Sequence, residues 1–304
     1  MNNIKTKFSI KDLENLSGIK AHTIRIWEKR YNLFEPNRTE TNIRYYSLSS
    51  LQKILNISYL NNNGYKISKI ANLNSEDIPN IVREIAEKKD GNNHYINSLK
   101  LAMFNFDQSL FFTTYDELKS EHNFGDIFYK VFVPLLDEIG MLWQTDTITP
   151  AHEHFIVELI KQKIVYNIEK SLDKNNLIES ADVYVLFLPD NEVHELGLLF
   201  TNYELINKGF HAIYLGQSVP LDSLEFLKSQ YDEITFISCF TVKPEKDDIN
   251  QYLADFESKI LKNTNNKLII SGRMTSFIDN NSNPKIASYQ STKDVIESLQ
   301  QVLA

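Results

Sequence analysis

Two short stretches hold most of the chemistry this sequence could perform. In the first, His194 stands in Glu192-Val193-His194-Glu195-Leu196-Gly197, directly after the apolar run 182–188. If that run is a strand, His194 lies at its carboxyl end, pointing into the crevice where open α/β sheets bind ligands. A lone histidine there more commonly reads as a helix N-terminal residue or a satisfied polar group. In the second, Glu153-His154 follows Thr149-Pro150. That pair could supply an acid and a base, or simply form the solvated first turn of a helix, with Trp143 upstream as a core residue. Cys239 is the single cysteine, which excludes an internal disulfide and a cysteine-based metal site.

A third stretch is suited to nucleic acid. Residues 8–19 predict a capped helix and tight turn, and Ala21–Tyr31 a second helix. Ile24, Trp27 and Tyr31 share one face and should pack inward. His22, Arg25 and Lys29 lie elsewhere and could meet a major groove or phosphates, the division a helix-turn-helix needs. Arg30 and Glu28 read as an intradomain ion pair or as DNA contacts. Charge favours DNA: residues 1–75 carry a balance of +7 and residues 76–304 a balance of −15. A basic quarter on an acidic body fits a nucleic-acid reader, or a basic face for an acidic protein partner.

The remaining elements must position these groups. At 304 residues, 42 % hydrophobic and 24 % charged, the chain is long enough for two or three globular domains. No apolar run approaches the ~18 residues of a membrane span. The N-terminus lacks a signal-peptide core, and the single cysteine fits a reducing cytoplasm. Segment 78–175 is helical in period, with Phe104, Phe111, Phe128, Phe132 and Leu136 recurring at helical spacing. Breaks at 90–93 and 121–125, and a Thr149-Pro150 helix start, divide it into four or five helices. Beyond it, apolar runs at 182–188, 211–215, 234–240, 267–271 and 285–289 alternate with helical patterns at 194–207, 221–230, 246–262 and 292–303. That alternation predicts βαβ units and a parallel sheet. The expected architecture is multidomain: a winged helix-turn-helix with a small β wing over 1–76, a four-helix bundle over 77–176, and a doubly wound α/β domain with a five-stranded parallel sheet over 177–304.

Particular residues carry a resemblance. Ile24-Arg25-Ile26-Trp27-Glu28-Lys29-Arg30-Tyr31, then Pro36-Asn37-Arg38-Thr39, then Asn42-Ile43-Arg44-Tyr45-Tyr46, resemble the MerR family of winged-helix regulators through about residue 75. The resemblance implies that Arg25 and Tyr31 sit at the DNA and that 37–46 forms the wing. Arg38 and Arg44 would grip phosphates, with Tyr45 against the backbone. Such contacts give affinity and position rather than sequence choice. Glu-x-His-x-x-Gly resembles a cobalamin-binding signature in which histidine replaces the cofactor's own base beneath cobalt. This implies His194 as the cobalt ligand. A carboxylate on its other ring nitrogen would fix the tautomer and raise basicity, with Glu192 the first candidate and Asp190 the second. Gly197, Ser238, Ser271 and Gly272 would leave a slot for the displaced nucleotide tail, with Ser271 departing from the usual glycine pair.

Trp143 and Glu153-His154, separated by nine residues, are similar to the CarH/LitR type of light-dependent repressor. That similarity implies contacts to the upper, adenosyl face of adenosylcobalamin. Gln144 stands where relatives carry a histidine that can capture cobalt after illumination, and His152 and His154 are the nearby alternatives. The expectation is a non-enzymatic repressor that binds duplex operator DNA as a homo-oligomer (dimer or tetramer) and senses light through adenosylcobalamin, without membrane attachment. The competing readings are a cofactor-independent repressor that uses its C-terminal half for oligomerisation or protein binding, and a corrinoid methyl-transfer protein.

Overall fold

The computed structural model describes residues 7–74, 77–88, 92–144, 147–172, 183–279 and 283–301. The chain divides into two compact units, 1–160 and 161–304.

In the first unit, α1 (Ile10–Ser17) starts at a capping box. The Ser9 hydroxyl accepts the Asp12 N–H at 3.1 Å and the Asp12 carboxylate accepts the Ser9 N–H at 2.7 Å. It ends at Gly18, whose φ of 73° is the left-handed geometry glycine adopts without strain. After this turn comes α2 (Ala21–Tyr31). β1 (Asn37–Arg38) and β2 (Arg44–Tyr45) pair antiparallel as a wing. α3 (Leu48–Asn62), α4 (Ile67–Ile70) and α5 (Asp77–Lys88) follow.

Four further helices form the expected bundle. They are α6 (Asn92–Asn105), α7 (Gln108–Glu121), a continuous rod of α8 (Phe124–Ile127) and α9 (Val133–Gln144) joined through a π-helical turn at Phe128–Phe132, and α10 (Pro150–Leu172). The break at 121–125 is real: Asn123 caps α8 by accepting the Asp126 N–H at 2.9 Å. Residues 89–91, at the other expected break, lie outside the described residues. Phe104, Phe111 and Phe132 are fully buried. Reader and bundle share packing. Phe8 meets Phe104 edge-on at 5.6 Å, and buried Lys100 pairs with Glu138 at 2.6 Å while reaching the Leu16 carbonyl at the end of α1.

In the second unit, β3 (Val183–Phe187), β4 (His211–Gly216), β5 (Ile234–Cys239), β6 (Lys267–Ser271) and β7 (Ile286–Ser288) form one parallel sheet in the order β4-β3-β5-β6-β7. β3 is buried along its whole length, which is why it reads as an unbroken apolar run. Alternate residues feed two cores: Val185, Phe187 and Phe236 pack with Phe256 on one face, and Tyr184, Leu186 and Ile237 with Leu198 on the other. The helices are α11 (Leu196–Asn207), α12 (Ile249–Phe256), extended by a π-helical turn to Leu261, and α13 (Thr292–Gln301). The segment expected as a helix over 221–230 is a 3₁₀ helix, Leu221–Ser229. Its buried residues, Leu221 and Leu224, are three apart and eclipse in that geometry. The strand order reverses between β3 and β5, so the loops after those strands border the crevice of a doubly wound sheet.

Candidate functional site

His194 lies in the loop between β3 and α11, on the crevice side of this reversal. Its side chain is 49 % exposed, whereas Glu192 beside it is 1 % exposed. Glu192 Oε1 lies 2.6 Å from His194 Nδ1 and also accepts the N–H groups of Val193 and His194 at 2.9 and 3.0 Å. Oε2 accepts the N–H groups of Thr241, Val242 and Lys243, in the loop after β5, at 3.1, 2.7 and 2.8 Å. One carboxylate thus stitches the two crevice loops together and holds the imidazole by Nδ1. Burial pushes its pKa up, but the hydrogen bonds from His194 and from the Lys243, Val242 and His194 amides outweigh burial and bring it down to about 2. Glu192 is therefore ionised, and an ionised acceptor at Nδ1 selects the tautomer whose Nε2 is the basic nitrogen. Asp190, the second candidate, is exposed, and Glu192 occupies the role.

Among the described residues no group of three His, Cys, Asp or Glu side chains could hold a metal ion. A single oriented imidazole suits a metal whose other ligands arrive with it, as in a corrin macrocycle. Gly272 has φ 106°, and a Cβ there would meet the Phe240 carbonyl oxygen at 2.5 Å, so only glycine fits. Gly197 faces Thr292, with 3.1 Å between an added Cβ and the Thr292 hydroxyl. Ser238 and Ser271 are buried at the ends of β5 and β6. The Ser238 hydroxyl donates to the Phe187 carbonyl at 2.8 Å, and the Ser271 carbonyl accepts the Phe240 N–H at 2.7 Å. Cys239 is buried and its thiol pKa is raised by burial, which makes it an inert core residue.

In the first unit, α10 begins at Pro150 as expected. His154 is exposed and Glu153 half-buried in its first turn. His152 is corrected from a candidate cobalt ligand to a core residue. It is 2 % exposed, its Nδ1 sits 2.9 Å from the Thr149 hydroxyl, and its ring stacks on Phe106 at 4.9 Å. Trp143 and Gln144 end α9, and their side chains lie outside the described residues.

The reader presents α2 and the wing together. Ile24 and Trp27 are buried as expected, while Tyr31 is half-buried under Arg30. His22, Arg25, Arg38 and Arg44 are exposed and Tyr45 is half-buried, with the Lys7 ammonium 4.9 Å from its ring centre. Register sets Arg38 directly opposite Arg44. Like charges in that relation repel unless an anion lies between them, and a phosphate is such an anion. Arg38 is braced by the Asn42 side chain at 2.7 Å. The suggested Glu28–Arg30 pairing gives way to another contact: Glu28 accepts the hydroxyl of buried Tyr46. Burial and this bond raise the Tyr46 pKa, so it stays a neutral donor. Tyr46 also exchanges both backbone bonds with Phe8, at 2.9 and 2.8 Å. Wing, α1 and α2 are thereby fastened to one another, a link the spacing of the sequence did not reveal.

These features define a class. Residues 8–76 match the MerR HTH family regulatory protein model, and residues 95–166 match the B12 binding domain model. The chain therefore joins a MerR-type helix-turn-helix to a B12-binding module. Two curated relatives are similar over about two thirds of this chain. The chain is 27 % identical over 220 residues to the HTH-type transcriptional repressor CarH of Myxococcus xanthus, covering 69 % of this chain and 70 % of that protein. It is 25 % identical over 219 residues to the HTH-type transcriptional repressor CarA of the same organism, covering 71 % and 70 %. Among solved structures, the Methanosarcina barkeri monomethylamine corrinoid protein superposes with a TM-score of 0.52 at 13 % identity, over 69 % of this chain and 99 % of that one. This last likeness concerns the fold alone.

Proposed function

We propose that this protein is a cobalamin-dependent transcriptional repressor that binds duplex operator DNA and uses adenosylcobalamin as its sensor. The observation that carries the reading is the buried, ionised Glu192 fixed on His194 at 2.6 Å, at the switch point of a doubly wound sheet, in a chain that also bears a MerR-type reader. His194 Nε2 would hold cobalt from below, with Glu192 fixing the tautomer and raising ligand basicity. Glu153 and His154, with Trp143, would line the adenosyl side. When bound, the cofactor supplies a cobalt–carbon bond that light can cleave. Glu153, His154 and Trp143 would contact the adenosyl group and so would favour the assembly that holds it, since a ligand shifts an assembly only through its differential affinity for the two states. Arg25 would enter the major groove, while Arg38 and Arg44 grip phosphates and Tyr45 and Tyr31 lie along the backbone, in a homo-oligomer matched to a two-fold operator. Because Gln144 is a poor cobalt ligand, the illuminated state should be less locked than in relatives with histidine there. An enzymatic reading has no support in the two curated relatives, both of which are named as repressors.

The test is size-exclusion chromatography and operator gel shift on chain reconstituted in the dark with adenosylcobalamin, then illuminated. A dark oligomer that retains DNA and separates in light is expected. Assembly and DNA affinity indifferent to both cofactor and light would leave the cofactor-independent repressor.

A further inference from the structure

A second carboxylate beside His194 is placed as deliberately as the first. Glu195 is 8 % exposed, although it stands at the N-cap position of α11 at the mouth of a crevice. Its Oε1 accepts the Lys161 ammonium of α10 at 2.5 Å and the Gln217 amide at 2.6 Å, and its Oε2 accepts the Tyr214 hydroxyl at 2.8 Å. Tyr214 lies in β4 and Gln217 in the loop after it, so the His194 loop is tied to β4 and α10 by one side chain. Backbone bonds reinforce the tie to the loop after β4: Ser218 N–H donates to the Glu192 carbonyl, and the Ser218 hydroxyl accepts the Asn191 N–H at 3.0 Å. Glu192 anchors the same loop on its other flank, to 241–243. The histidine thus sits between two buried anions that pull its loop toward opposite neighbouring loops of the sheet. Taking the Glu195 carboxylate out of water is costly, and an ion pair whose Lys161 end is still 34 % exposed returns little net stability. A role in holding geometry accounts for the arrangement better than one in stability.

We propose that Lys161 and Glu195 are positioning residues for the corrinoid ligand: their ion pair, with Tyr214 and Gln217, fixes the His194 loop so that the imidazole is presented at cobalt distance. The proposal rests on the assignment of His194 as the ligand. Both act on the loop that carries the imidazole, through the Glu195 side chain and its partners in α10, in β4 and after it, so their effect travels through that loop.

The experiment compares full-length wild type, His194→Ala, Lys161→Met, Glu195→Gln and the Lys161→Met/Glu195→Gln double variant. Each is titrated with adenosylcobalamin in the dark, and its reduced cob(II)alamin complex is examined by EPR. With 15N-labelled protein, an axial nitrogen from the protein splits each line in two, whereas the cofactor's own unlabelled base splits it in three, and a merely stable fold produces no two-line pattern. The double variant removes both charges with little change in volume, so it keeps a folded protein available if either single variant, with one charge of the pair left behind, fails to fold. Thermal melting should place the double variant near wild type. The expected result is affinity lower by roughly tenfold, the low end of losses for groups that orient a metal ligand, together with a mixed population of nitrogen-ligated and unligated cobalt. Wild-type affinity and an unmixed nitrogen signature in the double variant would overturn the proposal while leaving His194 in place. A wild-type protein with no protein-derived nitrogen signature, or one unchanged in His194→Ala, would instead remove the ligand assignment on which the proposal rests.

Discussion

Replacing Glu192 with glutamine tests the core of the site without any cofactor. The carboxylate accepts five backbone N–H bonds and the His194 ring, and it is 1 % exposed. Glutamine has nearly the same shape but a donor in place of one acceptor. Turned one way, its NH₂ meets the Thr241, Val242 and Lys243 amides; turned the other way, it meets those of Val193 and His194. Either orientation leaves part-buried amide donors unsatisfied, at about 1 kcal/mol each. The pKa gives an independent measure. A carboxyl lowered from 4.5 to about 2 on folding contributes about 3 kcal/mol to stability. Because the folded pKa is the depressed one, this contribution is complete above pH 4.5 or so and is lost as pH falls toward 2. Urea unfolding followed by far-ultraviolet circular dichroism, at pH 7 and in steps from pH 5 to 2.5, should show Glu192→Gln less stable by about 3 kcal/mol at neutral pH. The gap between the two proteins should then close as wild type alone loses this stabilisation. Other carboxylates titrate in both proteins and cancel in the difference. A gap that stays constant across that pH range would refute the claim that an ionised Glu192 ties the loops together.

Three further outcomes follow from the geometry. Arg25→Ala should weaken specific operator binding by about 1–3 kcal/mol, whereas Arg44→Ala should weaken binding to every duplex and reduce the salt slope by about 1, both read by gel shift over a salt series. Gly272→Ala should lower the melting temperature sharply. It forces a side chain into a glycine-only backbone region, at about 1–3 kcal/mol, and its Cβ overlaps the Phe240 carbonyl at 2.5 Å; a wild-type melt would show that the tight approach is not real. Tyr46→Phe removes the hydroxyl that joins the wing to Glu28 on α2 and should cost about 1 kcal/mol of stability with a loss of DNA affinity; unchanged melting and unchanged gel shifts would dismiss the link.

Much of the architecture was legible because its signals are local. The Ser9–Asp12 cap, the Gly18 turn, Thr149-Pro150 and the five apolar runs each lie within a few residues of the element they define. His194 and Glu192 were legible for the same reason: they are two residues apart. The missed contacts join residues far apart in the chain. Lys161 meets Glu195 across 34 positions, Lys100 meets Leu16 across 84, and Phe8 meets Phe104 only once the bundle folds. Glu195 did leave a trace, as a second acid flanking the histidine, but spacing alone could not assign it a partner. His152 was named as an alternative cobalt ligand because it stands beside Glu153-His154, whereas the helical turn directs it into a cluster of Phe104 and Phe106. The π-helical turns at 128–132 and 257–261 each add a residue to the turn, a local detail that the helical spacing of Phe128 and Phe132 and the helical pattern over 246–262 did not reveal.

The most direct measurement is the absorption spectrum and binding isotherm of the full chain reconstituted with adenosylcobalamin in the dark, for wild type and for His194→Ala. Wild type should bind with the spectrum of a histidine-ligated corrinoid. His194→Ala should fold but bind far more weakly, and any residual complex should lack that spectrum. A His194→Ala protein with wild-type affinity and wild-type spectrum would contradict the account.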